Sequence, residues 1–257
     1  MPPVVSSEEE KEGKAVIVSA KTDTGVKRHT NQDEYAILNL HDGSVLAVVC
    51  DGMGGANAGN VASHIACQVI TSFFERSFRK GLDSMGVTAL ILSAILSANI
   101  EVYNMAKKNE ELSGMGTTVV AAFVSPDFVV VSHVGDSRAY LINHEVTQLT
   151  RDHSVVQSLI ESGKLTPEEA VNHPRRNVIT RALGIEPDIL VDSNEYELKD
   201  NESLLLCSDG LSNFVSANEI TQIFGETETE QIADELVSLA NKNGGGDNIT
   251  AVVVKKG

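Results

Sequence analysis

Residues 45–55 read VLAVVCDGMGG. Val45 to Val49 form an apolar run with no polar alternation, the pattern of a strand buried on both faces. Cys50 and then an acid, Asp51, close the run, and Gly52-Met53-Gly54-Gly55 follow. A carboxylate at the tip of a buried strand, beside backbone able to fold tightly, is a common way to hold a hard cation. An ordinary strand-to-helix turn with an incidental Asp would look the same. The rest of the chain decides between the two.

Upstream, residues 15–20 (AVIVSA) form a strand pattern. The polar, turn-rich segment KTDTGVKRHTNQDEY follows and carries Asp33 to the start of a second strand, Tyr35 to Leu40. His41-Asp42-Gly43-Ser44 then makes a hairpin turn into the opening stretch. These three runs are expected to be antiparallel neighbours.

Downstream the period changes to that of a helix. Val61, Ile65, Val69 and Phe73 predict a helix over 60–78, and Leu90, Ile91, Ala94, Ile95, Ala98 and Val102 predict a second. Both stripes read as faces packed on a sheet. Strand patterns return at 117–124, 128–134, 137–142 and 146–149, read as a meander, with Asp136 closing FVVVSHVGD. Residues 150–188 differ. They hold short helical pieces and Arg151, Arg175, Arg176 and Arg181, and read as an insertion that flaps over one end of the sheets. Strands at 202–207 and 249–254 close the pattern, the first running into Ser208-Asp209-Gly210 and the second preceded by Gly244-Gly245-Gly246-Asp247-Asn248. Ile232, Leu236 and Leu239 mark helix between them. About ten strands and two helix pairs predict an α+β fold, helices covering two stacked sheets. The expected organisation is an acidic disordered tail at 1–14 and one domain at 15–257 containing the 150–188 flap.

The formal charge is −16, from 36 acids against 20 bases. Nucleic acid and anionic membrane are therefore poor partners. No run is read as reaching the ~20 apolar residues of a bilayer span, and residues 1–14 lack the features of a signal peptide. Cys50, Cys67 and Cys207 are odd in number and widely spaced, without a C-x-x-C, which suggests a reducing compartment. A cytoplasmic protein is expected.

Five acids stand where buried strands begin or end: Asp33, Asp51, Asp136, Asp209 and Asp247. Stacked sheets would gather strand ends at one rim, and so many buried carboxylates without cations would be very costly. An all-oxygen donor set selects Mg²⁺ or Mn²⁺. Two such ions about 4 Å apart can share a water and turn it into hydroxide, a nucleophile for in-line attack on phosphorus. No G-x-S-x-G, Cys-x5-Arg or H-E-x-x-H offers another. Arg28, five residues before Asp33, has the planar fork that grips phosphate, although spacing alone fits a surface Arg as well. GMGGANAG lacks the Lys-Ser/Thr of a P-loop, which argues against a nucleotide cradle.

Eight motifs now stand in order: TDTGVKRHTNQDEY, VVCDGMGG, GMGTTVV, HVGDSRAYL, RDHSVV, NHPRRNVITRALG, LLLCSDGL and GGGDNITAVVV. In these the chain resembles the bacterial protein phosphatases of the 2C type, metal-dependent Ser/Thr phosphatases, over nearly its whole length. The resemblance implies a four-layer α-β-β-α sandwich of two mostly antiparallel sheets, with a metal centre for Mn²⁺ or Mg²⁺ at one end. It places one ion on Asp51, Asp209 and Asp247, a second on Asp51, the Gly52 carbonyl and Asp33, and a third, weaker one on Asp136 and Asp209. Arg28 matches the phosphate-binding Arg, and Asp51 bridges the two core ions. The implied partners are phosphoproteins, among them a Hanks-type Ser/Thr kinase and its substrates, and the implied state is a monomer. One departure concerns the proton donor to the leaving group: Met53 and Ala56 stand where relatives carry histidines. A metal-bound water and His153 are the candidates left.

Overall fold

The computed structural model describes residues 16–200 and 202–256; the acidic tail expected at 1–14 lies outside them. The chain forms β1 (Val16–Asp23), β2 (Asp33–Asn39), β3 (Val45–Met53), α1 (Gly55–Ser77) and α2 (Ser84–Lys108). After a 3-10 turn at Glu110–Leu112 come β4 (Gly116–Thr117), β5 (Val119–Val124), β6 (Val129–Val134), β7 (Arg138–Ile142) and β8 (Val146–Gln148). The flap region holds α3 (Val155–Glu161) and α4 (Pro167–Ala170). Then follow β9 (Asp192–Tyr196), β10 (Ser203–Cys207), α5 (Asp209–Ser212), α6 (Ala217–Glu226), a 3-10 turn at Thr229–Gln231, α7 (Ile232–Lys242) and β11 (Ile249–Lys256).

Two antiparallel sheets result. One runs β1-β11-β10-β7-β8, the other β2-β3-β5-β6-β9 with β4 attached to β3. This is the α+β sandwich the sequence predicts. Three apolar layers fill it. Alternate residues of the β3 sheet pack against α1 and α2, with Leu46, Val48, Cys50, Phe74 and Ile91 in one cluster. The opposite residues, Ala47, Val49, Val120 and Val252, meet between the sheets. Leu205, Cys207, Ile249 and Val253 meet Leu236 and Val237 of α7 on the far side.

Two expectations about neighbours give way. β1 pairs with β11, in the sheet opposite the one that holds β2 and β3, and it is β2 and β3 that form the hairpin. The polar segment after β1 spans the rim from one sheet to the other, so its lack of strand pattern marks a crossing. The meander likewise breaks after β6, because Gly135, at φ 105, turns the chain so that β7 joins β10. Both crossings deliver an acid to the same rim, Asp33 and Asp136. β9 escaped the sequence reading because it is a polar edge strand, DSNEY, with no apolar alternation.

α2 also departs from expectation. It is 25 residues long and contains an 18-residue window of mean hydropathy 1.7, the length and apolarity of a membrane span. Its inner face, including Ile91, Ile95 and Val102, is buried on the β3 sheet. α1 is held there by Phe74, fully buried in an aromatic cluster with Phe78 and Phe123 at centroid distances of 5.4–5.8 Å. Phe74→Ala should cost about 3–5 kcal/mol of unfolding free energy, read as a lower urea midpoint at unchanged slope. A cost below about 1 kcal/mol would mean that the cluster does not anchor α1.

Candidate metal centre

Strand periodicity places the acids. On β3, Ala47 and Val49 face the other sheet, and two residues on Asp51 continues that face. Asp33 lies opposite Asp51 in the β2–β3 register. On β10, Leu204 and Leu206 face inward, so Ser208 does too; on β11, Val252 and Val254 bring Thr250 to the same side. These four positions converge at one rim of the sandwich. The Ser208 and Thr250 hydroxyls both donate to Asp33 Oδ2 at 2.7 Å. Asp33 Oδ1 is buried without a partner.

A cleft of about 690 Å³ opens at the same rim. Asp51, Asp136, Asp209 and Asp247 line it, with Gly52, Met53, Arg28 and His29. Gly52 is a close approach: a Cβ there would lie 2.1 Å from the Gly59 carbonyl oxygen, so only glycine lets the start of α1 sit against β3. Gly210 does the same for Asp209, since a Cβ would lie 1.9 Å from the Asn248 carbonyl oxygen. Two hydroxyl residues lock the turns together. The Asp51 N–H donates to Thr118 Oγ1 (2.9 Å), which bonds Ser137 Oγ (2.7 Å) beside Asp136. Arg28, half-exposed at the mouth, donates to Asp247 Oδ2 at 2.8 Å.

The electrostatics are those of an anion cluster. Burial, opposed by the Ser208 and Thr250 hydroxyls and reinforced by Asp209 and Asp247, pushes Asp33 up to about 7. Burial and the Asp209 charge raise Asp136 to about 7. Burial and then Asp247 raise Asp209 to about 6. Burial and the four surrounding acids hold Asp51 well above the carboxylate range. Oxygen-only donors, like charges at close quarters and an orphaned Asp33 Oδ1 together fit a hard divalent cation. All six positions expected as ligands, Asp33, Asp51, Gly52, Asp136, Asp209 and Asp247, are gathered here, and Arg28 joins them.

His153 lies elsewhere and does something else. It is buried, and its Nδ1 accepts the Gly135 N–H at 3.1 Å. Its Nε2 points away from that bond and lies 3.4 Å from Asp192 Oδ2. The His153 N–H donates to Gly135 O (2.9 Å), and the Thr180 N–H donates to His153 O (2.7 Å). The residue thus ties the returning flap segment to the turn that carries Asp136. Burial, His133 and Arg181 all lower its pKa, against a pull from Asp192. His133, His153 and Asp192 are grouped closely enough for a metal, but Arg181 Nη1 sits 3.1 Å from His153 Nε2 and 2.8 Å from Asp192 Oδ1. A cationic side chain already fills that place.

Sequence reasoning missed His29 as a lining residue. The only signal was its position next to Arg28, without a pattern to mark it.

The fold and cleft are those of the metal-dependent Ser/Thr phosphatases. The structure is similar to that of Stp1 from Staphylococcus aureus, a serine/threonine phosphatase, with a TM-score of 0.88, 38% identity, and coverage of 95% of this chain and 96% of that one. It is also similar to the catalytic domain of the phosphatase PstP in complex with two manganese ions, with a TM-score of 0.81, 32% identity, and coverage of 93% and 97%. The chain belongs to the protein phosphatase 2C family, whose model matches residues 26–251. The serine/threonine phosphatase Stp of Listeria monocytogenes is 39% identical over 238 residues, 92% of this chain and 94% of that protein.

Two expectations follow from the geometry. The raised acids keep protons in the metal-free fold up to about pH 6–7, whereas unfolded Asp ionises near 3.9. The unfolded state then binds fewer protons across that window, so metal-free stability falls as pH rises from about 4 to about 7. The chelator-treated protein should melt several degrees higher at about pH 5.5 than at about pH 7.5, and Mn²⁺ should raise the melting temperature most at the higher pH. No metal effect at either pH would contradict the site. For His153, an Asn keeps an acceptor where Nδ1 stands and a Leu does not. His153→Leu should lower Mn²⁺ affinity and kcat roughly 10-fold or more, while His153→Asn retains most of both. Equal loss in the two variants would contradict the positioning role.

Proposed function

We propose that this serine/threonine phosphatase hydrolyses phosphoester bonds on proteins with two Mn²⁺ or Mg²⁺ ions in the rim cleft. The observation that carries the reading is the convergence of Asp51, Asp136, Asp209, Asp247 and Arg28 on one cleft with Asp33 behind it. As the family resemblance implies, Asp51, Asp209 and Asp247 would hold one ion, Asp51, the Gly52 carbonyl and Asp33 the second, and Asp136 with Asp209 a third, weaker one. Ions bound there supply Lewis acidity and an activated water as nucleophile at neutral pH. The chain's own residues do the rest. Asp51 would serve both core positions. The Ser208 and Thr250 hydroxyls fix Asp33 Oδ2 and leave Oδ1 directed to a ligand or its water.

Arg28 exchanges its Asp247 partner for the substrate phosphate, whose two oxygens match the guanidinium fork. His29 is beside it on the cleft wall. With Met53 in the position of the relatives' histidine, and His153 buried with its acceptor nitrogen taken, His29 is the side chain placed to give the leaving oxygen its proton. The phosphoprotein substrates are those of a Hanks-type Ser/Thr kinase, a reading supported by the serine/threonine specificity in the names of the relatives.

Asp209→Ala and Asp247→Ala should each abolish binding of at least one Mn²⁺ and lower kcat/KM on the order of 10³-fold or more. Normal metal stoichiometry and turnover in both would refute the assignment. His29→Asn should slow a phosphoserine peptide by roughly 10²-fold and leave an aryl phosphate, whose phenolate departs without a proton, nearly unchanged. Equal rates on both substrates, relative to the parent enzyme, would remove His29 from the mechanism.

A further inference from the structure

The outer face of α2 carries an apolar stripe that is left uncovered among the described residues. Of the eight large apolar side chains exposed among the described residues, Met85 (78% exposed), Leu96 (42%) and Ile100 (53%) lie on this one helix. With Ala89, Leu92 and Tyr103 they recur at intervals of 4, 3, 4, 4 and 3 residues, so they share one narrow face. No Asp, Glu, Lys or Arg occurs from Ser84 to Ile100, in a chain of net charge −16. The serines beside the stripe add no free donors: Ser93 Oγ donates to Ala89 O and Ser97 Oγ to Ser93 O, both at 2.8 Å.

The stripe is self-complementary. About a two-fold axis at Leu96, an antiparallel second α2 would set Leu96 on Leu96, Leu92 on Ile100 and Ala89 on Tyr103. Met85 would meet Lys107, whose Nζ lies 5.3 Å from the centre of the Tyr103 ring and so exposes an apolar stem. The helix ends match as well. Asp83 caps the N-terminus, and Lys107 and Lys108 end the helix, so an antiparallel copy brings acid to base at both ends and aligns the helix dipoles head to tail. Glu101 points off the stripe, five residues from the axis. Repulsion between two acidic chains is screened beyond ~8 Å at physiological salt, which leaves the uncharged stripe and the complementary ends to govern contact.

We propose that α2 is a homodimerisation face, pairing two copies antiparallel about Leu96. From position 85 to 107 the helix is about 33 Å long. A strip about 10 Å wide gives on the order of 350 Å² per copy, below the ~800 Å² of a standard interface. The dimer is therefore weak and concentration-dependent. The monomer implied by the family resemblance is the species from which such a dimer would form.

The test is sedimentation velocity on the full chain from about 10 to about 500 µM, a range suited to a weak interface. The parent protein should pass from monomer to dimer. Leu96→Arg, at an exposed position outside the cleft, sets two like charges on the axis. It should weaken the dimer by roughly tenfold or more without changing phosphatase activity. In a second arm, a bismaleimide of about 8 Å, close to the spacing of packed helix axes, should link Leu96→Cys into dimers. Met85→Cys should stay unlinked, because its two copies sit at opposite ends; the native cysteines are buried and do not compete. A parent protein that stays monomeric at the highest concentration overturns the proposal. So does a dimer that Leu96→Arg leaves intact. Binding of a monomeric parent to neutral phosphatidylcholine vesicles, lost in Leu96→Arg, would assign the face to a lipid surface instead.

Discussion

Mutual repulsion among five carboxylates at one rim is the constraint around which this molecule is built. Asp33, Asp136 and Asp209 sit where burial and one another push them to about 6–7. Such a cluster stays only if the scaffold holds it and something positive balances it. The scaffold is the sandwich itself. Inward-facing positions of β2, β3, β10 and β11 end together, so residues that would otherwise continue the apolar layer become Asp33, Asp51, Ser208 and Thr250. The hydroxyls are as much a part of the site as the acids, because they fix one oxygen of Asp33 and leave the other buried and unpaired.

The same logic explains the connections. Chain crossings between sheets, at residues 24–32 and at Gly135–Ser137, lie at the rim and carry Arg28, His29 and Asp136 with them. A bond network from Asp51 through Thr118 to Ser137 joins the two sheets' contributions. Arg138 grips Asp152 through three contacts of 2.6–3.1 Å, and His153 grips Gly135. The flap is thereby fastened at its base to the turn that presents Asp136, while α3, α4 and the Asn177–Ile179 segment remain at the edge of the cleft.

Much of this was legible in the sequence, for a physical reason. Buried strands write themselves as apolar runs, and an acid at the end of such a run stands out. Asp51, Asp136 and Asp209 are visible that way, and Asp33 and Asp247 by the turns before their strands. What sheet a strand joins is not written locally. The pairing of β1 with β11 spans nearly the whole chain, and the pattern of 15–20 suits either sheet. β9 is polar because it lies at an edge. The contacts of His153 depend on a backbone N–H eighteen residues away, and the place of His29 on a cleft wall to which six other segments contribute. Helical spacing identified the buried stripe of α2 correctly, but its opposite face is apolar too, and only the fold shows which side is left uncovered.

The central claim is that Asp33, Asp51, Asp136 and Asp209, whose pKa values burial raises, give up protons when cations bind. Titration calorimetry with Mn²⁺ in two buffers of different ionisation enthalpy measures that exchange directly. The account predicts at least two ions per chain, with about one or more protons released at pH near 6.5 and progressively fewer toward pH 8. Binding without proton release at pH near 6.5, or no binding at this stoichiometry, would contradict it.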